Sequence, residues 1–326
     1  MGRMSGLSGN WRLSRSGMVA LIMSGVLLSS VGAAWLVVQR RGISPGRGKE
    51  IVGRIRKEGL SAYWPGVKLE WFLRQSQGQV IGWRASIGFP RGDGWFDGME
   101  VGVRPVQQNL LAGEWERWSL NENAAEGSYS AGSLVANALQ LVSTKVDTRI
   151  KLEKGQVFLQ QQAAQQVLAS RSATPDDYLP EGMMAPARLM LARERTKANF
   201  TLIFNELAPT GDRVNFGTVT MVSVNLDEEL VRGAKWAVTA YFAQSRRSAE
   251  TCFLDASGKV LAVIHHNMNT EDATATQEEV TAAFPHAADL LRQLMVQVRL
   301  RPPRQTAPAS QERQKEGEGD EGVARF

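Results

Sequence analysis

The feature that most constrains this chain is an uncharged, largely apolar run near its N-terminus, MVALIMSGVLLSSVGAAWLVV over residues 18–38. A helix of about 20 residues crosses the ~30 Å hydrocarbon core of a bilayer. Arginines, which stay at the membrane surface, flank the run on both sides at Arg12, Arg15, Arg40 and Arg41. The sequence therefore predicts one transmembrane helix over 18–38, with every large segment on its C-terminal side.

The same run also fits a cleavable signal peptide, since small residues occupy positions 31–34. The apolar character continues through 35–38, however, which favours an uncleaved signal-anchor. Seven Lys and Arg residues from Arg40 to Lys57 would keep the C-terminal part cytosolic under the positive-inside rule. Because the short leader 1–17 contains no acid, we nevertheless expect the domain to lie outside the cytoplasm, in a bacterial periplasm, with the helix in the inner membrane.

The positive charge of the chain is concentrated in its N-terminal part. Residues 1–57 contain ten Lys and Arg and a single acid, Glu50, whereas the remaining residues contain 28 basic and 32 acidic side chains. The net charge of +5 therefore belongs to the segment beside the membrane, where it suits anionic lipid headgroups. Because a nucleic-acid-binding surface would have to form on an acidic domain, we predict no nucleic-acid partner.

The segments on either side of the main domain are strongly polar. Residues 42–59 are basic and rich in Gly, with Ile51 and Ile55 one helical turn apart, which is typical of a short amphipathic helix on the membrane surface or of a flexible tether. The sequence leaves both alternatives open.

The predicted divisions are a basic leader 1–17, a transmembrane signal-anchor 18–38, a basic juxtamembrane tether 39–62, a β-rich domain 63–299 and a disordered tail 300–326.

Residues 63–299 have the pattern of a β-rich domain. Apolar and polar residues alternate in segments such as 68–74 and 79–89, and Asp-Gly pairs at 93–94 and 97–98 predict tight turns. Three helical features complete the pattern: a helix after Pro186, a capping box of Thr276 and Glu279, and a terminal helix from Pro285. The predicted fold class is α+β, mostly antiparallel β as a half-barrel or sandwich, with a mid-domain helix and a C-terminal helix.

An N-terminal anchor followed by an antiparallel meander, one internal helix and more meander resembles the bacterial envelope carriers of the LolA and LppX kind. The likeness covers about 63–299 and lies in the order of the elements. In that family a curled half-barrel accepts an acyl chain on its concave face. The resemblance implies a hollow beside helix 187–195, lined by Phe200, Leu202, Phe204 and Phe216. An ordinary core filled by the helix would produce the same pattern.

The sequence contains no recognisable catalytic or metal-binding motif. It has no G-x-S-x-G elbow, Walker A run or H-E-x-x-H helix. Cys252 is the only cysteine, which excludes an intramolecular disulfide and a cysteine metal cluster. His265 and His266 are adjacent on a predicted strand and point to opposite faces, so they cannot bind one metal. We therefore predict a non-enzymatic protein with no cofactor and no metal.

Tryptophan is concentrated in one part of the chain, since six of nine lie within residues 64–118. A Trp side chain can present a flat apolar face to a sugar ring or a peptide, although a Trp-rich core is the simpler explanation. The candidate ligand contacts are Trp95, Trp115 and Trp118. We predict an envelope protein whose domain binds a protein partner or an apolar or lipid ligand. The alternatives are a carbohydrate- or peptidoglycan-binding module that uses exposed Trp, and a cytosolic membrane-tethered adaptor.

Overall fold

The structure is a computed structural model that describes residues 46–107, 110–137, 140–163, 166–203, 213–224, 226, 233–242 and 249–301. The predicted anchor with its flanking arginines, the candidate Phe204 and most of the predicted tail lie outside these residues. Within the described ranges, no helix has the length and apolar character that crossing a membrane requires.

The described residues form fourteen strands, four α-helices and two short 3₁₀ turns. The strands are β1 Lys68–Ser76, β2 Gln79–Pro90, β3 Trp95–Gln107, β4 Leu110–Asn121, β5 Gly127–Asn137, β6 Leu141–Glu153, β7 Gln156–Ala163, β8 Gln166–Ala173, β9 Lys197–Ile203, β10 Phe216–Val224, β11 Trp236–Phe242, β12 Ala249–Leu254, β13 Val260–His265 and β14 Thr270–Ala275. The helices are α1 Arg47–Glu58, α2 Met184–Glu194, α3 Gln277–Ala283 and α4 Ala287–Gln297, and the 3₁₀ turns are Leu60–Ala62 and Glu181–Met183.

All fourteen strands belong to one sheet, in the order β8-β7-β6-β5-β4-β3-β2-β1-β14-β13-β12-β11-β10-β9. All neighbouring strands in this order are antiparallel, so the chain meanders outward from β1 to β8 and then returns from β9 to β14, which pairs with β1. The prediction of an α+β fold dominated by antiparallel sheet is confirmed.

The sheet curls until its two edges overlap. Ile150 of β6 packs in one apolar cluster with Ile203 of β9 and Phe216 of β10, although these strands lie near opposite ends of the strand order. The backbone N–H of Val214 also donates a hydrogen bond of 2.9 Å to the Ser172 hydroxyl of β8. A sheet whose edges meet in this way has an inner and an outer face, and its architecture is barrel-like.

The inner face is covered by α1 and α2, whose apolar residues share one core with strands from both halves of the sheet. The helical members of this core are Ile51, Val52 and Ile55 of α1 and Met184, Ala187, Met190, Leu191 and Ala192 of α2. Their strand partners include Trp118, Leu120, Phe200, Val219, Met221, Val238, Cys252, Leu254 and Val263. Burial of this apolar surface is the main source of stability at this site.

The outer face of β1–β5 is covered by the C-terminal helices. Trp71, Trp83 and Trp115 form a second core with Leu290 and Leu294 of α4. Successive side chains of a strand point to opposite faces, and for this reason Trp115 belongs to the outer core while Trp118 belongs to the inner one.

Trp118 fits the inner core because two glycines leave room for its ring. A Cβ atom on Gly98 would lie 2.2 Å from Trp118 Cζ2, and one on Gly182 would lie 2.7 Å from Trp118 Cε3. The indole ring is therefore held between β3 and the turn that leads into α2, at a distance that only glycine permits.

Residues 47–58 form a helix, which was one of the two alternatives for this basic segment. Its apolar residues Ile51, Val52 and Ile55 are fully buried against the sheet, so that they pack on protein. Arg47 and Arg54 both form ion pairs with Glu194 of α2. The helix is part of the folded unit because its apolar stripe matches the inner face of the sheet.

The remaining helices match their predictions with shifted bounds. The mid-domain helix begins at Met184, two residues before Pro186, which occupies the first turn, where no backbone N–H is needed. The capping box of Thr276 and Glu279 is confirmed at the start of α3. The terminal helix predicted from Pro285 is confirmed as α4, which begins two residues later, at Ala287, and Pro285 lies between α3 and α4.

The curled sheet has two distinct ends. We call the end where the described chain enters the proximal end, since α1 lies there: Leu60 N–H donates to Glu122 O in the β4–β5 turn at 2.9 Å, and Glu122 N–H donates to Gly94 O in the β2–β3 turn at 2.8 Å. The opposite, distal end carries the connections β1–β2, β3–β4, β5–β6, β7–β8 and β13–β14.

Candidate functional site

A polar network lies on the inner face, beside the core that α1 and α2 fill. Strand alternation and register bring its members to one side of the sheet. They are Arg74 of β1, Arg84 of β2, Glu100 of β3, Glu116 of β4, Glu250 of β12, His265 of β13, Asp272 of β14 and Arg188 of α2.

Asp272 is the centre of this network and is fully buried. It accepts two hydrogen bonds from Arg74, from Nε at 2.7 Å and from Nη2 at 2.8 Å. His265 Nε2 lies 3.0 Å away and Arg84 Nη1 lies 3.4 Å away. Burial alone would raise the pKa of Asp272, but these donors hold it well below its ordinary value. Asp272 is therefore ionised and joins β1, β2 and β13 through its own strand.

Two further ion pairs extend the network. Arg84 donates to Glu100 from Nε at 3.0 Å and also from Nη2, and its guanidinium lies 5.5 Å from the centre of the Phe72 ring. Arg188 donates to Glu250 and so attaches α2 to β12. The hydrogen bonds are charge-assisted, which makes them stronger than neutral ones and fixes the orientation of the side chains.

Two carboxyl groups in the same region have no ion pair in the described part of the chain. Glu116 accepts a hydrogen bond of 2.8 Å from the Tyr129 hydroxyl. Burial, followed by the charge of Glu100, raises the pKa of Glu116 to about 7. Burial also raises the pKa of Glu181, in the turn before α2, well above its ordinary value, and the nearby Glu116 adds to this effect. Each group therefore favours its neutral form more than an exposed glutamate does.

Part of the network is exposed to water. The side chains of Arg84 and Glu100 are 16% and 28% exposed, and that of Arg188 is 15% exposed, whereas Asp272 has no exposure. A partly hydrated set of paired charges can position helices and strands, and its exposed groups can form hydrogen bonds to a ligand. Among the described residues, no three His, Cys, Asp or Glu side chains are arranged to hold a metal ion.

The two adjacent histidines point to opposite faces, as their position on a strand predicts. His265 faces inward to Asp272, whereas His266 Nε2 lies 2.8 Å from the Thr251 hydroxyl on the other face. Burial lowers the pKa of His266, so its imidazole is neutral near pH 7. The two rings therefore belong to separate environments.

Exposed aliphatic side chains are concentrated at the distal end. Of the seven large hydrophobic residues that the described structure exposes most, five lie in or beside distal turns: Val80, Val106, Val142, Val167 and Met268. Their exposed fractions are 44%, 54%, 57%, 64% and 51%. The other two, Leu69 and Val296, lie on β1 near the proximal end and on α4. We call the five distal residues the distal rim. Clustered exposed apolar groups mark interaction surfaces more often than isolated ones do.

The three tryptophans named from the sequence lie in different places. Trp115 and Trp118 are buried on opposite faces. Trp95 is partly exposed at the proximal end, where the Arg91 guanidinium lies 5.3 Å from its ring centre. Arg91 in turn forms an ion pair with Asp93 at 2.8 Å. The structure thus does not bring these three rings onto one surface.

The four apolar residues named for a hollow are also divided. Phe200 is fully buried in the inner core, and Leu202 packs against that core while partly exposed. Phe216 belongs to the cluster at the overlapping edges and stacks edge-on with Tyr178, at 6.3 Å between ring centres. Phe204 lies outside the described residues.

Sequence reasoning missed both the polar network and the distal rim. The network had a signal, because Arg84 and Glu100 are charged residues in the middle of apolar strands. A charged side chain that faces the interior from the middle of a strand needs a partner of opposite charge. Each such residue therefore predicts a partner on a neighbouring strand. The identity of that partner depends on register, which the sequence does not state.

Comparisons with known proteins give two distant structural similarities. No protein-family model and no curated protein match the sequence. Among solved structures, the chain is similar to a β-barrel-like protein of the domain of unknown function DUF1849 from Brucella abortus, with 11% identity and a TM-score of 0.45, over 65% of this chain and 97% of that one. It is also weakly similar to the dehydratase domain from the CurK module of curacin polyketide synthase, with 9% identity and a TM-score of 0.11, over 65% and 78%. Likenesses at this level carry no functional argument.

Proposed function

We propose that this chain is a membrane-anchored, non-enzymatic binding protein whose β-rich domain holds a protein partner at its distal end, outside the cytoplasm. The observation that carries the proposal is the distal rim, because five of the seven most exposed large hydrophobic residues of the described structure lie in or beside the turns at this one end of the sheet. Contact with a partner would remove this apolar surface from water.

The position of α1 supports an orientation with the distal end away from the membrane. The predicted membrane helix ends at residue 38, and only the eight residues 39–46 separate it from α1. Eight residues span at most about 28 Å. A strand of the length of β3 extends about 40 Å. A tether this short therefore keeps the proximal end beside the lipid and presents the distal rim to the surrounding compartment.

A protein partner fits the geometry better than the lipid ligand of the LolA and LppX carriers. The centre of the inner face is occupied by α1 and α2, and the space beside them is lined with paired charges such as Arg84 and Glu100. An acyl chain would have to displace the helices or lie against charged groups, and both are costly. Kinship with those carriers therefore stays a hypothesis, and a lipid ligand is the second candidate.

A carbohydrate-binding module is less well supported. Stacking on sugar rings requires aromatic side chains that share one exposed surface, whereas Trp115 and Trp118 are buried on opposite faces. The cytosolic adaptor differs from the leading proposal only in the direction of the anchor, since the same distal rim would then face the cytoplasm.

Site-specific photo-crosslinking in living cells tests the proposal. A photoreactive amino acid replaces Val142 in the full chain, and Val296, which is exposed at 74% on the outer helix α4, provides the matched control position. We expect one discrete protein adduct from position 142 and none from position 296. Adding Val106→Glu and Val167→Glu to the position-142 variant should abolish the adduct, because charge at the rim opposes apolar docking.

Three outcomes would contradict the proposal. Equal adducts from positions 142 and 296 would indicate non-specific proximity. An adduct that survives both rim substitutions would place the partner elsewhere. An adduct whose added mass is that of a phospholipid would favour the lipid ligand.

A further inference from the structure

Three carboxyl groups come together where the chain leads into α2. Glu100 and Glu116 face each other directly across β3 and β4. Glu181 begins the 3₁₀ turn before α2, and its neighbour Gly182 lies against the ring of Trp118, two residues from Glu116 on the same face of β4. The turn therefore places Glu181 above the Glu100–Glu116 pair.

The cations in this region already have other partners. Arg84 pairs with Glu100 and Asp272, and Arg188 pairs with Glu250. The charged and titratable groups that act on Glu116 or Glu181 are Arg84 of β2, Glu100 of β3, Tyr129 of β5, Tyr178 before the turn, Arg188 of α2 and Glu250 of β12. The two guanidinium groups in this set are matched by the two carboxylates of Glu100 and Glu250, which leaves no cation for Glu116 and Glu181. Two ionised carboxylates at Glu116 and Glu181 would thus repel each other without a cation of their own.

We propose that protonation of Glu116 and Glu181 controls how firmly the turn before α2 and α2 itself rest on the inner face of the sheet. When both carboxyls are neutral, the turn packs on Trp118 and the helix covers the inner core. When both ionise, their repulsion and their need for water loosen the turn, and α2 opens locally. The segment is thus a pH-responsive cover of the inner face.

The direction of the response follows from the pKa values. Burial raises the pKa of Glu116 to about 7 and that of Glu181 well above its ordinary value. A carboxyl whose pKa is raised by folding stabilises the packed state fully below its unfolded pKa, and this contribution is lost as the pH rises through the folded pKa. The cover is therefore firmest below about pH 4.5, the ordinary pKa of a glutamate, loosens as the pH rises from there to about 7, and changes little above that.

Cys252 provides an internal probe of this opening. It is the only cysteine of the chain, has no solvent exposure and lies in the inner core with Leu191 of α2. Cys252 lies on β12, and the same strand carries Glu250, which forms an ion pair with Arg188 of α2. A thiol reagent can reach Cys252 only when this packing opens, so the rate of labelling measures the opening.

The test compares Cys252 labelling in the full chain with that in the double variant Glu116→Gln and Glu181→Gln, from about pH 4 to pH 8.5, with a disulfide reagent that reacts with thiols at acidic pH. Glutamine keeps the size of the side chain and can accept the Tyr129 hydrogen bond. Burial raises the pKa of the Cys252 thiol to about 11 in the wild-type protein, and the ratio of the two labelling rates at each pH cancels the changing thiolate fraction. We expect the wild-type rate divided by the variant rate to be near one at pH 4, to rise between about pH 4.5 and 7, and to level off above pH 7 at tenfold or more. A tenfold ratio corresponds to about one pKa unit of differential interaction.

A ratio that stays flat across the pH range would overturn the proposal. Loss of the far-UV circular dichroism signal in step with labelling would also overturn it, because the opening would then be global unfolding. Glu114→Gln, at an exposed position on the same strand, is the matched control and should label like the wild type at every pH. If the double variant does not fold, Glu181→Gln alone is compared in the same way, with the same criterion for failure.

Discussion

At the scale of single residues, Asp272 is the position on which most of the polar network depends. It is fully buried and holds Arg74 at 2.7 and 2.8 Å, with His265 and Arg84 at 3.0 and 3.4 Å. A buried ion pair adds little stability relative to an apolar replacement of the whole pair, but removal of one partner leaves the other charge uncompensated. The network is therefore most sensitive at its central acid.

Asp272→Asn should destabilise the domain by about 3 kcal/mol, because Arg74 and Arg84 then lose their shared anion while staying largely buried. Equilibrium urea unfolding of the full chain in detergent measures the change. Asp93→Asn is the matched control: Asp93 is 54% exposed and pairs with Arg91 at the surface, so we expect a change of less than about 0.5 kcal/mol. Equal effects of the two substitutions would contradict the central role of Asp272.

At the scale of elements, the sequence predicted the strands with strong alternation and missed the strand that joins the two halves of the sheet. The six residues of β14, TEDATA, contain Asp, Glu and Ala, which are depleted in strands. They form a strand because β1 and β13 pair with them on both sides. Local propensity cannot indicate such non-local pairing. For the same reason the buried position of Asp272, which lies on β14, was not predicted.

The first helix illustrates the opposite case. Its apolar stripe was visible in the sequence, but the surface on which the stripe packs was not. The spacing of Ile51 and Ile55 indicates an apolar stripe. A membrane surface and an inner sheet face accept such a stripe equally well. The structure places both residues in the inner core with no solvent exposure, because strands from both halves of the sheet supply apolar partners there.

Ile55→Ala should therefore destabilise the domain by about 2–5 kcal/mol, since it removes buried methyl groups and leaves a cavity. Urea unfolding in detergent again measures the effect. Val296→Ala on the outer surface of α4, where the side chain is 74% exposed, is the control and should change the stability by less than about 0.5 kcal/mol. An unchanged stability of Ile55→Ala would indicate that residues 47–58 act as a tether outside the folded unit.

At the scale of the whole molecule, the two ends of the sheet have different character. The proximal end holds α1 and the point where the described chain enters, whereas the distal end holds the exposed aliphatic rim. The sequence predicted an anchored β-rich domain from one apolar run and from alternation. It could not predict which end carries the rim. Val106, Val142 and Val167 are far apart in the sequence, and only the antiparallel meander brings their turns to the same end of the sheet.

The most direct test of this arrangement is a measurement of the depth of each end relative to the membrane. A fluorophore is attached at Ala62→Cys, exposed at the proximal end, or at Gln79→Cys, exposed at the distal end. The full chain is then reconstituted in vesicles that contain a lipid with a headgroup quencher. We predict strong quenching at position 62 and weak quenching at position 79. Equal quenching at the two positions, or stronger quenching at position 79, would contradict a domain tethered by its proximal end with its distal rim free to bind a partner.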